Sequence, residues 1–282
     1  MHARVLLVAS AVALGACGAA DRGTRGALAD DAGDVAVADL ALAQDDFGPP
    51  PFMGVVYAHS ADTLYSIDPA TLAVTKIGPF QFKGGLMDQI TDIALDKDSN
   101  MVGVSFDSLY TIDRTTAVCK RRAGIGQSFN ALSYIPVDQI DPGMSNAEIL
   151  VGADLAGDVW SIDPASGATK KIGNYGGGLA SSGDIVAVTG YGTVATVKQA
   201  GHTTDYLARL DMTHGARATI LGDTGRADFY GLGFWNDKVF GFSDQQFMAT
   251  IDPKNGATRS ATNGSIAWWG AGVTTAAPVT IQ

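Results

Sequence analysis

Five copies of one short motif, spaced at the 40–50 residues typical of blade arrays, with apolar residues alternating at period two, predict an all-β protein: a β-propeller of five four-stranded blades. The copies read LYSIDPAT (64–71), LYTIDRTT (109–116), VWSIDPAS (159–166), LARLDMTH (207–214) and MATIDPKN (248–255). Their aspartates, Asp68, Asp113, Asp163, Asp211 and Asp252, stand 45, 50, 48 and 41 residues apart. Helical solenoids share that period, but here Gly and Asp break every apolar run, and the runs alternate. Composition agrees. Of 29 acidic residues only Glu148 is Glu, and 35 residues are Gly, which favours tight turns over helices.

The repeats are preceded by two segments of different character. Arg4 followed by the apolar run 5–14 is too short to span a bilayer but suits the h-region of a signal peptide. It ends in Leu14-Gly15-Ala16-Cys17, which resembles the bacterial lipobox; Cys17 is then the lipidation residue and 1–17 a lipoprotein signal peptide. Ordinary cleavage nearby, for example after Ala20, is the other reading. Residues 18–51 hold seven Asp and two Arg among Ala and Gly and end in Pro49-Pro50-Pro51. So much charge and so little bulk cannot offset ordering entropy, and a disordered acidic tether is expected. The propeller is expected over 52–277, with 278–282 as a tail.

Each repeat can be built strand by strand. In the motif the Asp bonds the turn backbone, and Pro after Asp68, Asp163 and Asp252 presets φ. Gly167, Gly215 and Gly256, four residues after their Asp, supply the left-handed position. Leu72 and Ala117 stand there in the first two copies, so those turns are expected to differ. The inner strands also align: ITDIAL (90–95), FNALSY (129–134), FYGLGF (229–234) and WWGAGV (268–273), with 176–181 as a looser fourth-blade copy. Second strands follow at 101–105, 149–153, 185–189 and 239–243. The last inner strand has no blade after it and the first repeat has no inner strand. The C-terminal strand is therefore expected to pair with the first blade and close the ring, which also removes open sheet edges.

These LYxIDPxTGxxTxIG repeats resemble those of bacterial secreted and lipid-anchored propeller proteins. The resemblance covers about 225 residues. It implies a propeller fold and an extracytoplasmic envelope setting on a membrane. It carries no catalytic residue, because that group is functionally diverse.

Chemistry-bearing patterns are sparse. The net charge of −10 excludes nucleic acid as a partner. His2, His59, His202 and His214 are scattered, and no zinc, P-loop, dinucleotide or nucleophile-elbow pattern occurs. Asp96, Asp98 and Asn100 have the 1,3,5 spacing of a calcium loop, but Met101 and Asp107 replace the Gly and Glu that such a loop uses. A hairpin turn is the competing reading, so no cofactor is expected and calcium is the one ion left open. Cys119 reads as a small apolar filler, or else as a thiol activated by Lys120, Arg121 and Arg122, three bases that otherwise guard an outer edge.

One column of the inner-strand alignment, Thr91, Asn130, Gly177, Tyr230 and Trp269, varies, while the column before it (Ile90, Phe129, Phe229, Trp268) is apolar. The apolar column reads as core between blades. The variable one reads as core or as the lining of the channel mouth, with Trp269 and Tyr230 stacking on a ligand and Asp92, Asp228 and Asn130 supplying polar contacts. The leading expectation is a monomeric, membrane-anchored, non-catalytic binding or scaffolding module for a glycan, peptide or envelope protein. The alternatives are a hydrolase of glycans or lactones, which needs carboxylates converging at the mouth, and a quinone-dependent dehydrogenase, for which the chain is short.

Overall fold

A computed structural model of the protein describes residues 55–85 and 87–280. Cys17, the signal sequence and the acidic tether lie outside the described residues. The described chain forms five antiparallel four-stranded sheets arranged as the blades of a propeller. Blade 1 is Gly270–Gly272, Val56–His59, Thr63–Ile67 and Val74–Pro79, from the channel outward. Blade 2 runs Asp92–Leu95, Met101–Val104, Ser108–Ile112 and Val118–Gly124. Blade 3 is Ala131–Pro136, Glu148–Ala153, Asp158–Ile162 and Thr169–Asn174. Blade 4 is Leu179–Val188, Gly192–Gln199, Tyr206–Asp211 and Arg217–Asp223. Blade 5 is Phe229–Trp235, Lys238–Ser243, Phe247–Ile251 and Thr258–Asn263.

The ring closes as expected. Gly270–Gly272 pairs with Val56–His59 in the register Tyr57↔Gly272, Ala58↔Ala271 and His59↔Gly270. The chain then crosses the far end of the channel. Thr274 Oγ1 donates to Asp96 O (2.8 Å), Thr189 N donates to Thr275 O (2.8 Å), and Thr275 Oγ1 bonds the carboxylate of Glu148, the lone Glu. Two residues of the expected tail are bonded to blade 5: Asn236 N donates to Pro278 O and Thr280 N to Asp237 Oδ1.

Ile90, Phe129, Phe229 and Trp268 are all buried, as core between blades requires. Three of them lie on a glycine of the second strand. A Cβ on Gly103 would stand 3.3 Å from Ile90, one on Gly152 2.7 Å from Phe129, and one on Gly241 2.5 Å from Phe229. Large side chain and missing side chain are two halves of one packing unit.

Three expectations need correction. In blade 4 residues 185–188 end a ten-residue inner strand, and the second strand is Gly192–Gln199. The register slips between Ser181 and Ile185, and Ile185 to Val188 are buried on both faces, so the run carries no period-two signature. The turns at Leu72 and Ala117 do not differ from the rest: both residues are left-handed (φ 62° and 57°), like Gly167, Gly215 and Gly256. Each is held by the same bond to its motif aspartate (Leu72 N to Asp68 O, Ala117 N to Asp113 O, both 2.7 Å), so the turn imposes the strained φ on a non-glycine residue. Finally, the outer edge near Lys120 is not left open, because Gln81–Phe82 adds a short parallel strand along Val118 and Cys119. Cys119 is buried there and burial pushes its thiol up to about 12, which removes the activated-thiol reading.

Two buried carboxyls lock neighbouring blades. Asp92 accepts from Ile93 N of its own strand (2.8 Å) and from Leu132 N of blade 3 (2.6 Å). Asp184 repeats the device between blades 4 and 5, accepting from Ile185 N (2.6 Å) and Leu232 N (2.5 Å). Burial first, and then the charge of Asp184, raise Asp92 well above the ordinary carboxylate range, and burial raises Asp184 as well.

Trp268→Ala is expected to lower stability by about 3–5 kcal/mol in urea unfolding. Deleting everything after Ser265 should abolish the cooperative transition, since closing strand and channel crossing go together. Folding raises the pKa of Asp92, so its stabilising contribution is greatest at low pH and fades as pH climbs from the ordinary carboxylate range through the raised value. Unfolding curves taken across pH should therefore show a shallower loss of stability towards high pH in Asp92→Asn than in the parent.

Candidate functional site

The five inner strands start at one end of the channel, and a cavity of about 720 Å³ opens there. Its lining includes Thr91, Asn130, Tyr230 and Trp269, four of the five residues in the variable column. Shared backbone geometry explains the convergence. Thr91 N donates to Val104 O (2.8 Å), Asn130 N to Ala153 O (3.0 Å) and Trp269 N to His59 O (2.8 Å), each time to the last residue of the blade's second strand.

The fifth member is corrected by the bulge in blade 4. Gly183, not Gly177, lines the cavity; Gly177 sits exposed in the turn before the inner strand. A Cβ at 183 would stand 2.1 Å from Phe229 O, so this contact between inner strands requires glycine. The matching core position in blade 4 is Ser182, which is buried.

Trp269 and Tyr230 are half-buried, whereas Trp268, on the other face of its strand, is packed edge-on against Tyr65 (5.3 Å) and Phe242 (5.4 Å). Phe106 and Leu155, 57% and 72% exposed, stand at the rim on the hairpins between second and third strands of blades 2 and 3. Neither was singled out from sequence. The available signal was a large apolar residue at the tip of a hairpin otherwise built of Asp, Ser and Gly.

Polar groups are few and placed. Asn130 Nδ2 donates to Ser181 Oγ (3.2 Å), while its buried Oδ1 has no partner among the described residues. Lys198 lines the cavity and pairs with Asp228 Oδ1 (2.9 Å), and Asp228 Oδ2 accepts from Gln245 Nε2 (2.8 Å). Asp228 therefore positions Lys198 and does not itself line the mouth; the Lys198 ammonium holds its carboxyl below the usual range. Asp205 and Asp244, nearby, are pushed up by burial. Asp92, expected as a polar contact, is fully buried in the channel with both oxygens bonded to backbone N–H groups.

Among the described residues the lining has one carboxylate, Asp154. One of its oxygens accepts from Ala156 N and Asp158 N, and the other from Trp160 Nε1. No carboxylate pair faces the cavity as acid and base. The calcium candidate is a hairpin turn: Asp96 Oδ1 accepts from Asp98 N (3.0 Å) and Asn100 N (2.7 Å), its Oδ2 from Asn100 Nδ2 (2.8 Å), and Lys97 pairs with Asp98 (2.7 Å). Among the described residues no group of three or more His, Cys, Asp or Glu is arranged to hold a metal ion.

No protein-family model and no curated protein matches the chain. Solved structures do. A chain of the nidogen/laminin complex superposes with a TM-score of 0.50 at 8% identity, over 78% of this chain and 97% of that one. BamB from Moraxella catarrhalis (TM-score 0.36, 14% identity, 76% of this chain) and an oligogalacturonate lyase in complex with manganese (0.39, 14%, 73%) are also similar. The chain spans only 62% and 61% of the length of those two. At these identities the likeness is one of fold, and it is this chain's own five sheets and their closure that make it a five-bladed β-propeller.

Proposed function

We propose that this protein is an extracytoplasmic propeller, anchored to a bacterial membrane through an acylated Cys17, whose channel mouth binds a ligand without transforming it. The observation that carries the binding role is the convergence of Trp269 and Tyr230 with Asn130 and Lys198 around one cavity whose lone carboxylate is already engaged. Aromatic faces beside a few fixed polar groups suit a ligand with a flat or puckered ring bearing hydroxyl or amide groups, as in a glycan or an aromatic peptide. The exposed Phe106 and Leu155 extend the apolar surface beyond the cavity itself. A hydrolase would need an acid and a base facing the cavity, and the lining has no such pair.

A glycan and peptide binding screen on the mature protein tests the reading. Trp269→Ala should weaken the ligand found by about 1–3 kcal/mol, a loss of stacking size, with little change in melting temperature. Equal destabilisation by Trp269→Ala and Trp268→Ala, with no ligand in the screen, would turn the column into packing. The anchor has its own test. In Cys17→Ser the precursor should accumulate uncleaved and leave the detergent phase, whereas normal processing would indicate an ordinary signal peptide.

A further inference from the structure

A second cavity, of about 740 Å³, lies between blades 4 and 5 at the opposite end of the strands from the mouth. It is lined by the turns after the two inner strands (Tyr191, Asp237, Lys238) and by the motif turn of blade 5 (Asp252, Pro253, Lys254). Four cations face it, Arg209, Lys238, Lys254 and Arg259, against two carboxylates. Both carboxylates are engaged: Asp252 by Arg259, whose Nε donates at 3.1 Å, and Asp237 Oδ1 by Thr280 N. Arg209, Lys238 and Lys254 make no ion pair among the described residues. On a chain with 29 acids and 19 bases, a cavity lined by four cations and two carboxylates, with three of the cations outside any ion pair among the described residues, is a local reversal of the overall charge.

Arg209 is fixed in place before any ligand arrives. Its guanidinium carbon lies 4.4 Å over the Tyr191 ring and its Nη1 donates to Tyr191 O at 2.7 Å. Tyr191 is in turn stacked on Phe234, with ring centroids 4.3 Å apart. The neighbouring residue is Gly192, where a Cβ would stand 2.7 Å from Nη1, so the guanidinium occupies space that glycine leaves free. A rigid, half-buried fork without a carboxylate partner matches an oxyanion of two or three oxygens. Leu221, Ile251 and Pro253 supply an apolar wall beside it.

We infer that this cavity is a binding site for a small organic oxyanion, a carboxylate or phosphate carried on a partly apolar skeleton. Arg209 grips the anionic group in its fork, and Lys238 and Lys254 close on it as mobile point charges. The site is independent of the channel mouth.

Titration calorimetry of the full chain at low ionic strength, with citrate and with pyrophosphate as probes, tests this. At least one probe should bind with one-to-one stoichiometry and weaken with added salt. A preference for citrate assigns the carboxylate class, and one for pyrophosphate the phosphate class. Lys238→Glu with Lys254→Glu, both at exposed positions, should weaken binding by about tenfold or more, equivalent to about 1.4 kcal/mol. Arg209→Lys, which keeps the charge and loses the fork, should also weaken it, while Trp269→Ala should leave it unchanged. The inference is overturned if neither probe binds, if the double variant binds as the parent does, or if Trp269→Ala abolishes binding.

Discussion

Pairing of the C-terminal strand with the first strand of the ring is the constraint on which the remaining structure depends. Three residue pairs, Tyr57 with Gly272, Ala58 with Ala271 and His59 with Gly270, join segments more than two hundred residues apart. Such a contact costs loop-closure entropy, but it removes two sheet edges and buries Trp268. It also places Trp269, because the Trp269 N–H is bonded to His59 O in the same pairing. Fold closure and the mouth of the channel are thus made by one strand. The segment that follows seals the far end through Thr274, Thr275 and Glu148, so one chain terminus defines both ends of the channel.

Closure of only five blades brings the inner strands close together. A Cβ on Gly231 would meet the backbone of Gly270 at 2.6 Å, and one on Gly270 would meet Asp92 and His59 at 2.3 and 2.5 Å. Two of the five channel-facing positions nevertheless hold aspartate. Each carboxyl bonds one N–H of its own blade and one of the next, which offsets much of the cost of burying it. His59 completes this interior as a neutral ring: its Nδ1 donates to Ser60 O, and burial lowers its pKa to about 4. The channel is therefore packed with small and polar groups, and the two large cavities open at either end of the blades instead.

Those ends differ in chemistry because different parts of the repeat reach them. The mouth receives the starts of the inner strands and the hairpins after the second strands, which here carry Trp269, Tyr230, Phe106 and Leu155. The opposite end receives the first turns of the blades and the motif turns, which between blades 4 and 5 carry Lys238 and Lys254 beside the stacked Arg209. A single scaffold thus presents an aromatic surface at one end and a cationic one at the other.

The sequence by itself determined what repeats. Alternating strands, motif aspartates and an orphan strand at each end of the array were enough for five blades and their closure. The same alignment identified Ile90, Phe129, Phe229 and Trp268 as core and brought Thr91, Asn130, Tyr230 and Trp269 to one mouth, since equivalent positions in a ring share an environment. It failed where blade 4 departs from the repeat. A bulge at Ser182, Gly183 and Asp184 in a strand buried on both faces erases the period-two signal, so Gly177 was aligned where Gly183 belongs. Asp92 was legible as a polar residue near the mouth, but only the tertiary structure shows its oxygens spent on Ile93 and on Leu132 of the next blade. The cationic cavity is invisible in one dimension for the same physical reason. Arg209, Lys238, Lys254 and Arg259 lie on different strands and turns of two blades, and only the packing of those blades brings their charges together.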